Sequence, residues 1–356
     1  MSRPALQVFA GPIARARLRE RGLRPQDVRV IPGAAGGPKG LLLNALDRHL
    51  FGEWLPGTDH VVHLPGASIG AWRLACACMP DPATELRVMA DDYIHQRYTS
   101  TSPSAHEVST AFRAALTLRF GGRQSLVLQS PRYRVHVFAS RGRRVLARDG
   151  RLRTPVGYLG AFASNLLARR AMGGFLERVI FSDPRDALPV PTRDYLTRHV
   201  PLTDANLAPS ILASCSIPFW LEAVDDIPGA PPGPYWDGGI TDYHLHLDYA
   251  AMAGDGLVLY PHFQRTLVPG WLDKALRHRH RATERLSNVV VLAPHPDWLA
   301  TLPGGKIPDR SDFKAYGADV EGRMRTWERA VEEGERLADE FAALARQPSI
   351  EALPLP

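Results

Sequence analysis

The sequence predicts an α/β protein with a mostly parallel central sheet, and three observations carry that prediction. The first 80 residues alternate twice between a short apolar run, a glycine-rich turn and a helix-like segment, the pattern of parallel strands joined by helices. Later apolar runs at 178–181, 257–260 and 289–292 are short and unbroken, as strands buried on both faces are. With 356 residues, 45% apolar and 22% charged, the chain buries a large core without disulfide or metal staples.

Taken in order, residues 12–21 read as a short basic helix stopped by Gly22. The run 28–31 leads into GAAGGPKG at 33–40, and 41–50 is helix-like. A second run at 60–64 leads into GASIG at 66–70, and AWRLACACM at 71–79 is helix-like again. Residues 106–118 read as a helix and 133–139 alternate as a strand. Asp149-Gly150 within 144–153 is a hairpin signal, so 120–155 reads as an excursion forming a lid over the site. Residues 161–172 read as a helix. Residues 320–345, within a helical segment at 318–346, read as one long amphipathic helix with Met324, Trp327, Val331, Leu337, Phe341 and Leu344 on one face. PGAPPGP at 228–234 is the one marked loop, and no repeat or low-complexity linker interrupts the chain. This organisation predicts a single domain over 1–356 with its core motifs in 28–240.

Composition narrows the function. The formal net charge is +6, carried almost wholly by arginine; Lys39, Lys274, Lys306 and Lys314 are the only lysines. That balance suits anionic surfaces such as lipid headgroups. No aromatic-interleaved basic stripe, finger spacing or RNA-binding signature points to nucleic acid. Cys76, Cys78 and Cys215 are too few and wrongly spaced for a disulfide framework or a zinc site, and read as small buried residues. The first residues lack the apolar core of a signal peptide, and no stretch nears the ~20 apolar residues of a membrane span. The expectation is a cytoplasmic protein, peripheral at the membrane at most.

Gly66-Ala67-Ser68-Ile69-Gly70 fits G-x-S-x-G, a sharp strand-to-helix turn that projects a serine hydroxyl. At a helix start, the N–H groups and the dipole favour developing negative charge. The loop at 33–40 is not a phosphate loop, because Pro38 and Gly40 stand where that motif needs glycine and a hydroxyl. Acyl transfer from a serine needs N–H donors aimed at an oxyanion, and Gly36 and Gly37 sit between strand and helix where such donors belong. Lys39 beside them orients the loop or favours an anionic substrate. A serine also needs a proton acceptor, and Asp237 is the candidate. Gly238 and Gly239 after it admit a second backbone, and Tyr235 and Trp236 before it desolvate the carboxylate.

Together these segments resemble the patatin-like phospholipase family, which carries G-G-G-x-[RK]-G, G-x-S-x-G and D-G-[GA] in this order. Here they are 35–40 (AGGPKG), 66–70 (GASIG) and Asp237-Gly238-Gly239, and ASCSIP at 213–218 resembles the family's A-S-x-[AS]-I-P. The resemblance implies a three-layer α/β/α fold and hydrolysis of lipid acyl esters through an acyl-enzyme, with no cofactor and no metal. It implies Ser68 as nucleophile, Asp237 as base in a Ser-Asp dyad, and Gly36 and Gly37 as the oxyanion hole, supported by Lys39, Gly66, Gly70, Gly238 and Gly239. The chain departs at Ala35, where the family has glycine, and at ITDYHLHLDY after Gly239, where it often has Asn-x-Pro.

Three alternatives stand beside this reading. A triad esterase needs a late histidine such as His262 or His295, yet only about two strands fit before Ser68. Asp242, His244, His246 and Asp248 share one face if they lie in a strand, which suits a metal hydrolase. A non-catalytic lipid-binding protein is the third, against which Ser68, Asp237 and the glycine pair stand together. The partner in each lipid-directed reading is a lipid or other acyl ester.

Overall fold

Strands form here because β-branched and aromatic residues alternate toward two buried faces. In the run Val289–Pro294, Val290 and Leu292 enter one core, while Val289, Val291 and Ala293 enter another. The computed structural model describes residues 3–356. Its strands are β1 (Leu6–Ala10), β2 (Val28–Val30), β3 (Val62–Ala67), β4 (Tyr133–Gly142), β5 (Leu176–Ser182), β6 (Thr197–Pro201), β7 (Val224–Asp225), β8 (Pro234–Asp237), β9 (Leu257–Pro261), β10 (Val289–Pro294) and β11 (Leu353–Pro354). They join one sheet in the order β11-β1-β10-β9-β2-β3-β4-β5-β6, with β8 on β4 and β7 on β8. The stretch from β10 to β4 is parallel throughout, and antiparallel pairs lie outside it. The fold is thus α/β with a mostly parallel central sheet.

One face is covered by helices, among them Ile69–Ala77, Pro82–Ile94, Leu207–Cys215 and Val320–Glu333, whose buried residues share a core with β9 and β10. The other face is covered mostly by irregular chain between Tyr243 and Leu286. Beyond it the helix Arg153–Leu167 packs Tyr158 and Ala161 around Trp236.

Several elements differ from the sequence expectations. Residues 120–155 are not a lid: β4 lies in the sheet, with nine of its ten residues buried. Its alternation reports two buried faces. Asp149-Gly150 makes no hairpin; Thr154 donates its N–H to the Gly150 carbonyl and its hydroxyl to Asp149, starting the helix Arg153–Leu167. The helix expected at 161–172 is therefore this earlier one. The expected C-terminal helix is two, Val320–Glu333 and Glu335–Ala345, broken at Gly334. A Cβ there would stand 2.7 Å from the Leu42 carbonyl oxygen, so the close approach admits only glycine. Residues 41–50 are split between a 3-10 segment, Gly37–Leu43, and the helix Asn44–His49. Three strands precede Ser68, because β1 was illegible: it lies at the sheet's margin and only its last two residues are buried.

Candidate active site

Ser68 and Asp237 are 169 residues apart in sequence, and β4 brings them together. β3 runs parallel to β4 and ends with Ala67 opposite Phe138. β8 runs antiparallel along the same strand and ends with Asp237 opposite Ala139. Two strands thus end head to head against adjacent residues of β4. Ser68 Oγ donates to Asp237 Oδ2 at 2.7 Å, and the Gly239 N–H donates to Oδ1 at 2.7 Å.

The serine turn is as sharp as the motif demands. Ser68 has φ 56° and ψ −131°, a conformation that costs a non-glycine residue about 1–3 kcal/mol. A Cβ on Gly70 would stand 2.0 Å from the Gly33 carbonyl oxygen, and one on Gly66 2.6 Å from Ala71 Cα. On the opposite side, Gly238 lies against the Phe138 carbonyl and Gly239 against Ala35. Ser214 closes the arrangement. Its hydroxyl accepts from the Ser68 N–H at 2.8 Å and donates to the Phe138 carbonyl at 2.6 Å. The Ser216 and Ser214 carbonyls accept from the N–H groups of Asp237 and Gly238. The ASCSIP segment is therefore the clamp between the two strand ends, a role that its position in the sequence did not reveal.

Gly36 lines the pocket beside Ser68, and Gly37 opens the 3-10 segment with φ 56°, which favours glycine. Among the described residues neither N–H has an acceptor, and Pro38 supplies none. The Gly37 backbone is covered by Arg310, whose Nε is 3.0 Å from where a Cβ would sit. Lys39, Lys274, Trp271, Ile217 and Pro218 complete the walls of a cavity of about 230 Å³. Burial raises the Asp237 carboxyl to about 6, against the pull of Arg310 and the Ser68 hydrogen bond. Burial lowers Lys39, and it brings Lys274 down to about 8 with help from Lys39 and Arg310. Of the residues expected from sequence, Ser68, Asp237, Gly36 and Lys39 line this cavity and Gly37 adjoins it; Lys274, Trp271 and Arg310, which also line it, carry no motif or periodicity in the sequence.

The rival constellations do not assemble. No histidine among the described residues lines the pocket. His262 is buried and accepts from the Gln264 N–H, and His295 caps the helix Pro296–Leu299. Residues 242–248 are not a strand. Asp242 ends the helix Gly239–Asp242 and is held by Arg178 at 2.6 and 2.7 Å and Arg169 at 3.3 Å, while His244 accepts from the Val268 N–H. Among the described residues no three His, Cys, Asp or Glu side chains are grouped to hold a metal ion.

Fold and site together define an α/β protein with a strained serine turn hydrogen-bonded directly to a buried aspartate. A sequence model described as patatin-like phospholipase matches residues 34–245, more than half of the chain, and the chain belongs to that family. No curated protein matches the chain. Among solved structures it is similar to human GIVD cytosolic phospholipase A2, with 10% identity and a TM-score of 0.42 over 94% of this chain and 62% of that one. It is also similar to VipD from Legionella pneumophila, with 11% identity and a TM-score of 0.35 over 96% of this chain and 71% of that one. No helix among the described residues is long and apolar enough to cross a membrane.

Proposed function

We propose that this protein is a lipid acyl hydrolase that cleaves carboxylic esters through a Ser68–Asp237 dyad. The observation that carries the reading is the 2.7 Å hydrogen bond from Ser68 Oγ to a buried carboxylate in the pocket. Ser68 attacks the ester carbonyl as Asp237 takes its proton. The N–H groups of Gly36 and Gly37 hold the oxyanion; the Ser68 N–H is already spent on Ser214. Asp237 returns the proton to the leaving alcohol and then activates the water that releases the acid. The test is hydrolysis of a p-nitrophenyl acyl ester series. Ser68→Ala and Asp237→Asn each lower kcat by a factor of about 10³ or more, while His262→Ala and His295→Ala stay active. Full activity in Ser68→Ala removes the reading.

The substrate is met at an anionic lipid surface, and a second observation supports this. The helix Arg153–Leu167 and its cap present Leu152, Val156, Leu159 and Leu166 on one exposed stripe, 82%, 59%, 69% and 47% accessible. The helix that carries the stripe is joined to the pocket wall through its other, buried face. Tyr158 of this helix packs on exposed Phe219, which follows the wall residue Pro218, and Asn165 bonds Asp273, two residues beyond the wall residue Trp271. Arg148, Arg151, Arg153 and Arg170 are exposed around it and complement anionic headgroups. Co-sedimentation with vesicles containing anionic lipid checks this. Burying one leucine is worth about 1.5–3 kcal/mol, so Leu159→Glu weakens vesicle binding about tenfold or more. Unchanged binding contradicts the docking face.

A further inference from the structure

Most charged side chains near the sheet are paired. Arg73 holds Asp47, Arg178 holds Asp242 and Asp194, and Arg119 holds Glu85 and Asp92. The catalytic pocket is the exception. Lys39, Lys274 and Arg310 all line it, and among the described residues none of the three makes an ion pair or a side-chain hydrogen bond to an acid. Lys39 Nζ lies 5.4 Å from the Phe263 ring centre, Lys274 Nζ lies 4.2 Å from that of Tyr243, and Arg310 lies on Gly37; Arg310 and Lys274 act on the Asp237 carboxylate through space, but its hydrogen bonds go to Ser68 and the Gly239 N–H. The one other carboxylate on the wall, Asp309, is engaged by Lys306 at 3.2 Å. Two of the chain's four lysines thus stand beside the proposed nucleophile without a carboxylate of their own. Like charges gathered in a partly buried place repel one another, and each loses hydration. A dianionic ligand relieves both costs.

Lys39, Tyr243 and Lys274 also line a second, wider cavity of about 550 Å³, whose other walls include Arg277, His280 and Arg281. A group extending past the cluster therefore meets more cations. A headgroup ending in a quaternary or primary ammonium would be repelled there.

We propose that Lys39, Lys274 and Arg310 form an anion subsite beside Ser68, and that the preferred substrate is an acyl ester carrying a phosphomonoester headgroup, in preference to a zwitterionic one. Lys274 and Arg310 lie outside the residues 34–245 that define the family match, so this selectivity belongs to the chain's own C-terminal part. The fork of Arg310 suits two phosphate oxygens, and the lysines supply point charges. The inference rests on the hydrolase reading only for the word substrate; the subsite is testable without turnover.

The experiment is calorimetric titration of the Ser68→Ala protein with dodecyl phosphate, dodecylphosphocholine and inorganic phosphate, each kept below any micelle threshold. Charge-assisted bonds to the phosphate make dodecyl phosphate bind about tenfold or more tighter than dodecylphosphocholine. Adding Lys274→Gln or Arg310→Gln weakens dodecyl phosphate about tenfold each, and Arg310→Lys recovers part of the loss. Equal binding of the two amphiphiles, or variants that bind dodecyl phosphate like the parent, overturns the subsite. Inorganic phosphate binding as tightly as dodecyl phosphate overturns the substrate assignment, because the site then serves a free anion. Retained ester hydrolysis in Ser68→Ala alongside selective dodecyl phosphate binding removes the serine reading and leaves the subsite standing.

Discussion

At the residue scale, the proposed chemistry turns on one carboxylate in an unusual setting. Asp237 is buried, and burial lifts its carboxyl to about 6 while Arg310 pulls it down. A base must be ionised to accept the serine proton, so kcat/KM rises with pH through about 6 and levels off above it. Arg310 is the charge that most opposes the rise, so Arg310→Gln moves the midpoint of that profile to higher pH. A pH–rate series on a soluble ester checks both statements, and a midpoint that ignores Arg310 contradicts the second. Ser214 is the other decisive residue. Ser214→Ala leaves the Ser68 N–H and the Phe138 carbonyl without their partner in a buried place. The expected cost is about 1–3 kcal/mol in urea unfolding, together with lower kcat from a less fixed nucleophile. The sequence displayed Ser68 and Asp237 through short glycine-flanked motifs whose purpose is close backbone approach. It displayed Ser214 only as part of a matching segment. It did not display Arg310 or Lys274, because irregular loops carry no period and a lone cation has no spacing to read.

At the element scale, the site exists because β3 and β8 end against adjacent residues of β4. Behind the β8 end, an ion-pair cluster anchors the helical turn that follows it, adding to the Ser214 and Ser216 clamp. Asp242 is fully buried, held by two bonds from Arg178, while Arg169 reaches both Asp242 and the Thr241 carbonyl. Removing one partner of a buried pair costs about 3–5 kcal/mol, so Asp242→Ala lowers unfolding stability by that amount in denaturant titration. A loss under about 1 kcal/mol contradicts the assigned role. The same place explains a misreading. The alternation of Asp242, His244, His246 and Asp248 looked like one strand face, but Asp242 belongs to a helical turn and Leu245 has φ 44°. Core strands were legible because they are short, apolar runs. β4 was legible as a strand but not as a central one, because Arg134, His136, Ser140 and Arg141 gave it a polar look. Most of their polar atoms are satisfied locally: Arg134 bonds Asp186, Ser140 bonds the Asp237 carbonyl, and His136 meets His63 through Nε2 while its Nδ1 has no partner among the described residues.

At the scale of the whole molecule, the pocket mouth, the apolar stripe and the cations lie on connected elements. The stripe was invisible to sequence reading, because a helix with exposed leucines has the same period as one with buried leucines. Only the packing of Tyr158 and Ala161 on the opposite face decides which side is exposed. In the proposed reading a lipid substrate places its ester at Ser68 and its headgroup toward Lys274 and Arg310, all of which line one cavity. The most direct test of the central claim is covalent trapping with an alkyl fluorophosphonate, read by intact mass and peptide mapping. The expected result is a single adduct on Ser68 that forms faster as pH rises through about 6, slows about a hundredfold or more in Asp237→Asn, and is absent in Ser68→Ala. An adduct on another residue, or trapping of Ser68 at an undiminished rate in Asp237→Asn, contradicts the dyad.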